Sequence, residues 1–266
     1  MAFFGLSDTG CARPQNEDRI LIDDRLSLFA VADGMGGHSF GEVAAELALA
    51  MVRQYVESSH DRADVTWPFG YDFNLTRNEN RLLTAMQLAN HRVWKRSEET
   101  PEYAGMGTTV AAVLVDRNKA AIASVGDSRV YLFRAREMKL LTSDDTWVSA
   151  MVRQGTLDPR EVAQHPMRNV LTQAAGARET IDVEVLERAL HHGDVLLLSS
   201  DGLHGVVGEA ALASILNNVA SGQANLEQSA ALLVQAARDL GAPDNVSCIL
   251  LHYTGEDAVT TDPGAP

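Results

Sequence analysis

The chain has 266 residues with 36 acidic and 22 basic side chains, so its formal charge is −14, and it is 45% hydrophobic. This length suits one large domain or two small ones, and the composition is typical of a folded protein rather than a disordered one. Such an acidic surplus repels nucleic-acid phosphates and anionic lipids, and no cluster of Lys and Arg reverses it locally. We therefore expect no nucleic-acid partner and no membrane association.

Short apolar runs alternate with longer stretches of helical period, which predicts a fold that mixes α and β structure. In chain order, strands are expected at 26–32, 110–115, 120–125, 130–133, 195–199 and 246–253. Several of these runs are apolar on both faces, so we expect them to be covered on both sides. Helices with one apolar stripe are expected at 41–56, 80–96 and 226–240, and weaker signals mark 146–154 and 209–219.

The remaining segments bear on domain organisation and location. No linker or internal repeat divides residues 1–254, which predicts one domain, and the polar, acidic residues 255–266 predict a flexible tail. The first residues lack the basic lead and apolar core of a secretion signal, and no apolar run approaches the roughly 18 residues of a membrane span. Two isolated cysteines, Cys11 and Cys248, indicate no disulfide framework. We expect a cytoplasmic protein and, by default, a monomer.

Aspartates stand at the ends of several predicted strands. Asp33, Asp127 and Asp201 each follow an apolar run, and Asp244 leads into the last one. Any one of them is explained by the fit of Asp-Gly to a tight turn. Four at the ends of core strands are harder to explain in that way, because strand ends converge and clustered carboxylates repel unless a cation neutralises them. Together they favour a metal site.

The donor types indicate which metal such a site would take. The candidate ligands are all oxygen, with no pair of closely spaced cysteines and no His-Glu-x-x-His sequence, which favours Mg²⁺ or Mn²⁺ over Zn²⁺. Carboxylate sites that bridge two such ions serve phosphoryl chemistry. Such a site also needs a cation from the protein. Arg13 is the candidate because its planar fork can hold two phosphate oxygens, although a lone Arg near the N-terminus is by default a surface residue.

Six motifs, in family order and spread over nearly the whole chain, resemble those of the metal-dependent serine/threonine protein phosphatases of type 2C (PPM), bacterial branch. They are Arg13-Pro14-Gln15-Asn16-Glu17-Asp18, Asp33-Gly34-Met35-Gly36-Gly37, Gly107-Thr108-Thr109, Gly126-Asp127-Ser128-Arg129, Ser200-Asp201-Gly202 and Asp244-Asn245-Val246-Ser247. The resemblance implies an α+β fold, a central antiparallel β-sandwich flanked by helices on both sides in α-β-β-α layers. It also implies hydrolysis of phosphoserine and phosphothreonine in proteins by direct attack of a metal-bridging hydroxide, opposing a cognate serine/threonine protein kinase.

The resemblance also implies a set of metal ligands. Asp33 would bridge two Mn²⁺ or Mg²⁺ ions, Asp201 and Asp244 would complete the first ion, and the backbone carbonyl of Gly34 would bind the second. Asp127, together with Asp201, would bind a third and weaker ion. The glycine at position 34 suits this role because a carbonyl can approach an ion closely only where no side chain crowds the turn.

Further residues take supporting roles by the same resemblance. Arg13 would bind the substrate phosphate, and Glu17 and Asp18 would reach the ions through water. Asn245 would orient its neighbour Asp244. These assignments complete the expected site.

Two departures from the family pattern concern the proton donor and the flap. Met35 stands where eukaryotic members often carry a His that protonates the leaving group, so here the proton would come from water or another residue such as His38. Residues 142–176 resemble the mobile flap that bacterial members place beside the metals. Its first part reads Asp144-Asp145-Thr146, where members often have Asp-His-Ser.

Three other hypotheses stay open at this point. A catalytically silent metal-bound sensor or scaffold would need broken ligands, and none of the four Asp is missing. A phosphatase dedicated to one small signalling protein would need a separate partner to supply its context. An α/β domain with turn-forming Asp would require six motifs to coincide.

Overall fold

The computed structural model describes residues 1–36, 40–60, 62 and 64–255. In chain order the strands are β1 (Ala2–Asp8), β2 (Asp18–Asp23), β3 (Leu28–Met35), β4 (Gly107–Thr108), β5 (Val110–Asp116), β6 (Lys119–Val125), β7 (Arg129–Arg134), β8 (Glu137–Leu140), β9 (Glu184–Ala189), β10 (Val195–Ser199) and β11 (Val246–His252). The α-helices are α1 (Gly41–Ser59), α2 (Arg77–Glu99), α3 (Trp147–Arg153), α4 (Asp201–His204), α5 (Glu209–Ala220) and α6 (Leu226–Asp239). Short 3-10 helices cover Pro101–Tyr103 and Pro159–Gln164.

The strands form two antiparallel sheets packed face to face. The first sheet has the order β1-β11-β10-β7-β8, and the second has the order β2-β3-β5-β6-β9 with β4 paired to β3. Alternation along β3 shows how both faces are buried: Phe29 and Val31 enter the core between the sheets, whereas Leu28 and Ala30 face outward into a second core. This period of two explains why the central strands read as continuous apolar runs.

Helices cover the outer face of each sheet. The apolar stripe of α1, including Ala44, Ala48 and Val52, joins that of α2 against the second sheet, and α2 begins at a capping box in which Thr76 and Glu79 exchange hydrogen bonds. The stripes of α5 and α6, including Leu212 and Leu233, pack on the first sheet. The layers are therefore helix, sheet, sheet and helix, which confirms the predicted fold class. Within the described ranges, none of the helices is both long and apolar enough to cross a membrane.

The antiparallel order brings the functional ends of the strands to one edge of the sandwich. β3, β6 and β10 end there, while β7 and β11 begin there, as the pairings Ser199↔Arg129 and Ser199↔Cys248 illustrate. This edge carries Asp33, Asp127, Asp201 and Asp244, which lie at strand ends, in loops or at the start of α4. The fold thus converts positions far apart in sequence into neighbours.

The flap, residues 142–176, leaves the sandwich between β8 and β9 and contains α3. Its two ends pair with each other: the Trp147 amide donates to the Val170 carbonyl at 2.8 Å, and the Thr172 amide donates to the Asp145 carbonyl at 2.7 Å. The segment therefore returns to the edge of the sandwich from which it left, beside the aspartates. Of the expected tail, all but Gly255 lies outside the described residues.

Candidate metal centre

A pocket of about 410 Å³ opens at the edge of the sandwich where the aspartates meet. Asp33 lies near the end of β3, Asp127 lies between β6 and β7, Asp201 begins α4, and Asp244 precedes β11. The pocket is lined by Arg13, Glu17, Asp33, Gly34, Met35, Gly36, Thr109, Asp127, Asn169, Leu171, Asp201, Asp244 and Asn245. The structure therefore brings together most of the residues that the sequence singled out, and Asp18 lies buried behind them.

Close backbone contacts hold the acidic residues in place. A Cβ atom on Gly202 would lie 1.9 Å from the carbonyl oxygen of Asn245, so α4 can sit directly on the segment that carries Asp244 only because residue 202 is glycine. At Gly34 a Cβ would lie 2.1 Å from the carbonyl oxygen of Gly41, where α1 begins. These two contacts bring the backbones around Asp201 and Asp33 to their positions in the pocket.

Two threonines fix the backbone of Asp33. The Asp33 amide donates to Thr109 Oγ1 at 3.1 Å, and the Asp33 carbonyl accepts hydrogen bonds of 2.9 Å from the Thr109 amide and from Thr108 Oγ1. Thr109 Oγ1 also shares a 2.7 Å hydrogen bond with Ser128 Oγ. Both threonines belong to a motif that the sequence shows but to which we assigned no role. The signal that could have identified them is the Gly-Thr-Thr sequence directly before a buried strand.

Side-chain hydrogen bonds of Asn245 connect the N-terminal loop to the start of β11. Its Oδ1 accepts from the Glu17 amide at 2.8 Å, and its Nδ2 donates to the carbonyls of Thr9 and Gln15, both at 2.9 Å. Its backbone amide donates to Asp244 Oδ1 at 2.9 Å. The side chain therefore positions the loop that bears Arg13 and Glu17, whereas the contact with Asp244 comes from the main chain.

Asp18 is a buried carboxyl behind the pocket, with only 2% of its surface exposed. Its Oδ2 accepts from Ser200 Oγ at 2.7 Å, and that hydroxyl oxygen accepts from the Ser247 amide at 3.0 Å. Oδ1 has no hydrogen-bond partner. Burial, reinforced by the charges of Asp201 and Asp244, raises the pKa of Asp18 to about 6.

The pKa values of four other carboxyls in the pocket are also raised. Burial and the neighbouring aspartates raise the pKa of Asp33 well above its ordinary range, and burial followed by the charge of Asp201 raises the pKa of Asp127 to about 7. Burial also raises the pKa of Asp201, although a hydrogen bond with Asp33 opposes that shift. At Glu17 burial raises the pKa, and the Gly41 amide opposes it.

Arg13 supplies positive charge at the mouth of the pocket. Its Nη2 donates to Asp244 Oδ2 at 2.7 Å, and 52% of its side chain is exposed. The hydrogen bond and charge of Asp244, with smaller contributions from Asp33 and Glu17, raise the pKa of the guanidinium. In this arrangement Arg13 neutralises one carboxylate of the cluster and can reach solvent.

The chemistry of the donor set fits divalent cations. The acidic donors are all oxygen, which suits Mg²⁺ and Mn²⁺, and burial together with neighbouring carboxylates raises the pKa of Asp33, Asp127 and Asp201, as expected of carboxylates that a cation would neutralise. Asp201 Oδ1 is buried without a hydrogen-bond partner, as is Asp18 Oδ1, and an unsatisfied oxygen of this kind is a site that an ion or its water would fill. Among the described residues, no three acidic, His or Cys side chains are already spaced as a complete metal site. One oxygen of Asp244 instead pairs with Arg13.

The flap contributes residues that sequence reasoning did not single out. Asn169 and Leu171 line the pocket, whereas the sequence marked only the segment that contains them. Met35 also lines the pocket, and its thioether has no proton to donate. Gly37 and His38, the other candidate proton donor, lie outside the described residues.

Known proteins share this sequence and this fold. The family model described as protein phosphatase 2C matches residues 14–238. The chain is 32% identical to the serine/threonine protein phosphatase PstP of Mycobacterium tuberculosis over 257 residues, which are 97% of this chain but 46% of that protein, so it spans about half of that relative's length. It is 30% identical to the protein phosphatase PhpP of Streptococcus pneumoniae, with 95% of this chain and 98% of that protein covered.

A solved structure bears on the metal question. The catalytic domain of the serine/threonine protein phosphatase PstP, in complex with two manganese ions, superposes with a TM-score of 0.76 at 31% identity and covers 94% of this chain and 96% of that one. A family match over most of the chain defines the class: a metal-dependent phosphatase fold with an acidic pocket at one edge of the sandwich. The chain belongs to the protein phosphatase 2C family.

Proposed function

We propose that this chain is a serine/threonine protein phosphatase that hydrolyses phosphoserine and phosphothreonine in proteins with the help of Mn²⁺ or Mg²⁺. The observation that carries the proposal is the convergence of Asp33, Asp127, Asp201 and Asp244 in one pocket with Arg13 at its mouth. The raised pKa values of Asp33, Asp127 and Asp201 and the unpaired Asp201 Oδ1 point to missing positive charge. The relatives named above, a serine/threonine protein phosphatase and a protein phosphatase, support this assignment.

The proposed ligands are those that the family resemblance implies, and each of them lines the pocket. Asp33, Asp201, Asp244 and the Gly34 carbonyl would hold two ions, and Asp127 with Asp201 would hold a third. When bound, the ions supply an activated water and neutralise charge on the phosphoryl oxygens. Glu17, which lines the pocket, and Asp18, whose carboxyl interacts electrostatically with Asp201 and Asp244, would act on the ions through water.

The protein's own residues would orient the phosphate and keep the site rigid. Arg13 is the group that would hold two phosphoryl oxygens, because its fork is planar, permanently charged and half-exposed at the mouth. Asn245 fixes the loop that carries it, and Thr109 fixes Asp33. A rigid acidic floor opposite a guanidinium is the preorganised charge pattern that phosphoryl transfer requires.

The substrates, partners and organisation follow from the same proposal. The substrates are phosphorylated proteins, and the cognate partner is a serine/threonine kinase whose products this enzyme reverses in cytoplasmic signalling. We infer that residues 1–254 form one phosphatase domain with its flap at 142–176, that residues 255–266 form a flexible tail, and that the protein acts as a monomer. The net charge of −14 supports a function without nucleic acid or anionic membrane.

Phosphate release from a phosphothreonine peptide tests the proposal. Turnover should require Mn²⁺ or Mg²⁺ and stop with chelator, and Asp33→Asn should reduce it at least about a thousandfold, in keeping with the weight of charge stabilisation in such sites. Asp24→Asn, the same change at an exposed turn, should leave turnover unchanged. Release that persists with chelator, or no release with either ion, would refute the proposal.

A further inference from the structure

Asp145, at the entry of the flap, contacts two other segments of the chain. Its Oδ2 accepts from the Gly126 amide at 3.0 Å, and its own amide donates to the Gly126 carbonyl at 2.8 Å. Its carbonyl accepts from the Thr172 amide at 2.7 Å, and its Oδ1 accepts from Gln173 Nε2 at 3.4 Å. One half-buried residue therefore joins the entry of the flap, the exit of the flap and the loop that carries Asp127.

The Gly126 end of this connection leads into the metal centre. Gly126 has a φ of +93°, and a Cβ there would lie 2.6 Å from Cγ2 of Thr109, so this loop rests directly on the threonine that holds Asp33. Asp127 follows Gly126 immediately and lines the pocket. A displacement of Gly126 would therefore reach both the pocket wall and Thr109.

The Thr172 end leads to the flap residues that line the pocket. Leu171, which lines the pocket, directly precedes Thr172 and forms a bridge with Thr146, the residue after Asp145. Gln173 is held in turn, because its Oε1 accepts from the Asp182 amide at 2.9 Å. The neighbouring Asp144 has a different role, since it pairs with Arg129 through two hydrogen bonds of 2.8 and 2.7 Å.

We propose that Asp145 is a positioning residue that fastens the flap to the Asp127 loop and so sets the shape of the cleft that receives a phosphoprotein. The proposal rests on the proposed function for its kinetic consequence and on contacts alone for its structural one. A small aryl phosphate would need little more than the pocket itself, whereas a phosphopeptide would extend from the pocket onto the flap. Loss of the fastening should therefore raise the KM of the peptide more than it lowers the kcat for the small substrate.

Amide hydrogen exchange at Gly126 reports the fastening directly, because that amide donates to the Asp145 side chain. Asp145→Ala should speed exchange at Gly126 about tenfold or more, the factor that loss of one hydrogen bond to a charged group gives. The same variant should raise the KM for a phosphothreonine peptide about tenfold and lower kcat for a small aryl phosphate by a smaller factor, because Gly126 also rests on Thr109. Asp145→Asn, which keeps an oxygen for the Gly126 amide, should restore slow exchange and most of the peptide KM.

Glu161→Ala is the matched control, because Glu161 is an exposed flap carboxylate whose side chain makes no hydrogen bond within the described part of the chain. It should leave both readouts unchanged. Unchanged Gly126 exchange in Asp145→Ala would overturn the proposal, and so would faster exchange with an unaltered peptide KM. If the unmodified protein releases no phosphate at all, the proposed function fails, while the exchange measurement still decides whether Asp145 fastens the flap.

Discussion

Replacing Asp18 by Asn should stabilise the metal-free protein while weakening its hold on divalent ions. Asp18 is 2% exposed, has one oxygen without a hydrogen-bond partner, and faces the charges of Asp201 and Asp244. Asn removes the charge, keeps an oxygen for Ser200 Oγ and places an NH₂ donor where the unpaired oxygen lies. Because Asp18→Asn should have opposite effects on the stability of the metal-free and metal-bound protein, it tests whether this carboxyl contributes to a cation site.

The magnitude follows from the pKa of Asp18, which burial raises from its ordinary value of 3.8 to about 6. Between these two values the folded protein holds a proton that the unfolded chain has lost, so the stability of the metal-free protein falls as the pH rises through this window. Above about pH 6 the loss is complete and is at most about 3 kcal/mol. The stability of Asp18→Asn does not fall in this window. The difference in unfolding free energy between the variant and the unmodified protein should therefore grow from about pH 4 and level off above about pH 6.

Thermal unfolding followed by circular dichroism at pH 5.0 and 7.5 measures this advantage. With chelator at pH 7.5, Asp18→Asn should melt about 5 °C above the unmodified protein, since about 1 kcal/mol corresponds to about 2–4 °C in a chain of this size and part of the gain is lost to imperfect hydrogen bonding. With Mn²⁺ the order should reverse. Asp24→Asn, at an exposed turn, should change neither melting temperature. An Asp18→Asn variant that melts lower than the unmodified protein in chelator would refute the reasoning.

Three further predictions concern the rest of the site. Arg13→Ala should raise the KM for a phosphothreonine peptide about 10–100-fold, because charge-assisted hydrogen bonds to the phosphate are lost. Calorimetry should find the number of bound Mn²⁺ ions unchanged. An unaltered KM would show that Arg13 does not bind the phosphate. In calorimetry, inorganic phosphate should bind the metal-free protein at least about tenfold more weakly than the Mn²⁺-loaded protein, because Arg13 is paired with Asp244 when no metal is bound. Equal affinities would contradict this prediction. Gly202→Ala should lower the unfolding free energy by about 2–3 kcal/mol in denaturant titration, since its Cβ would lie 1.9 Å from a carbonyl oxygen, whereas Gly208→Ala, in open space, should change it little.

The central strands could be predicted from the sequence because both of their faces are buried. The run at 195–199 coincides with β10, and those at 110–115 and 120–125 differ from β5 and β6 by one residue at one end. The strands that the sequence did not reveal include β1, β2, β8 and β9, which are the four outer strands of the two sheets. Outer strands are half-exposed and mix charged with apolar residues, as in Glu184–Ala189, so their pattern is weak.

The helices were predictable for a similar reason. Each of α1, α2 and α6 buries one stripe against a sheet, and a stripe is visible as a period in the sequence. The structure lengthens α1 to Ser59 and begins α2 at Arg77, where the capping box of Thr76 and Glu79 sets the boundary. The Thr and Glu of this capping box are visible in the sequence, but a prediction based only on apolar periodicity does not take them into account.

The convergence of the aspartates could be anticipated, whereas the contacts that hold them could not. Strand ends in a sandwich meet at its edges, so Asp33 and Asp201 were predicted to be neighbours. The hydrogen bonds of Asn245 join residues 228 to 236 positions apart, and no spacing in the sequence shows them. Likewise, Asn169 reaches the pocket only because the flap folds back through contacts such as those of Asp145. These depend on the assembled fold.

Anomalous diffraction from a crystal grown with Mn²⁺ tests the central claim most directly. The claim is that the acidic pocket is a binuclear metal site in which Asp33 contacts both ions. The account predicts two strong anomalous peaks in the pocket on either side of the Asp33 carboxylate, with Asp201 and Asp244 at one of them, and a third, weaker peak beside Asp127. A pocket without anomalous density, or a single ion that Asp33 does not contact, would contradict it.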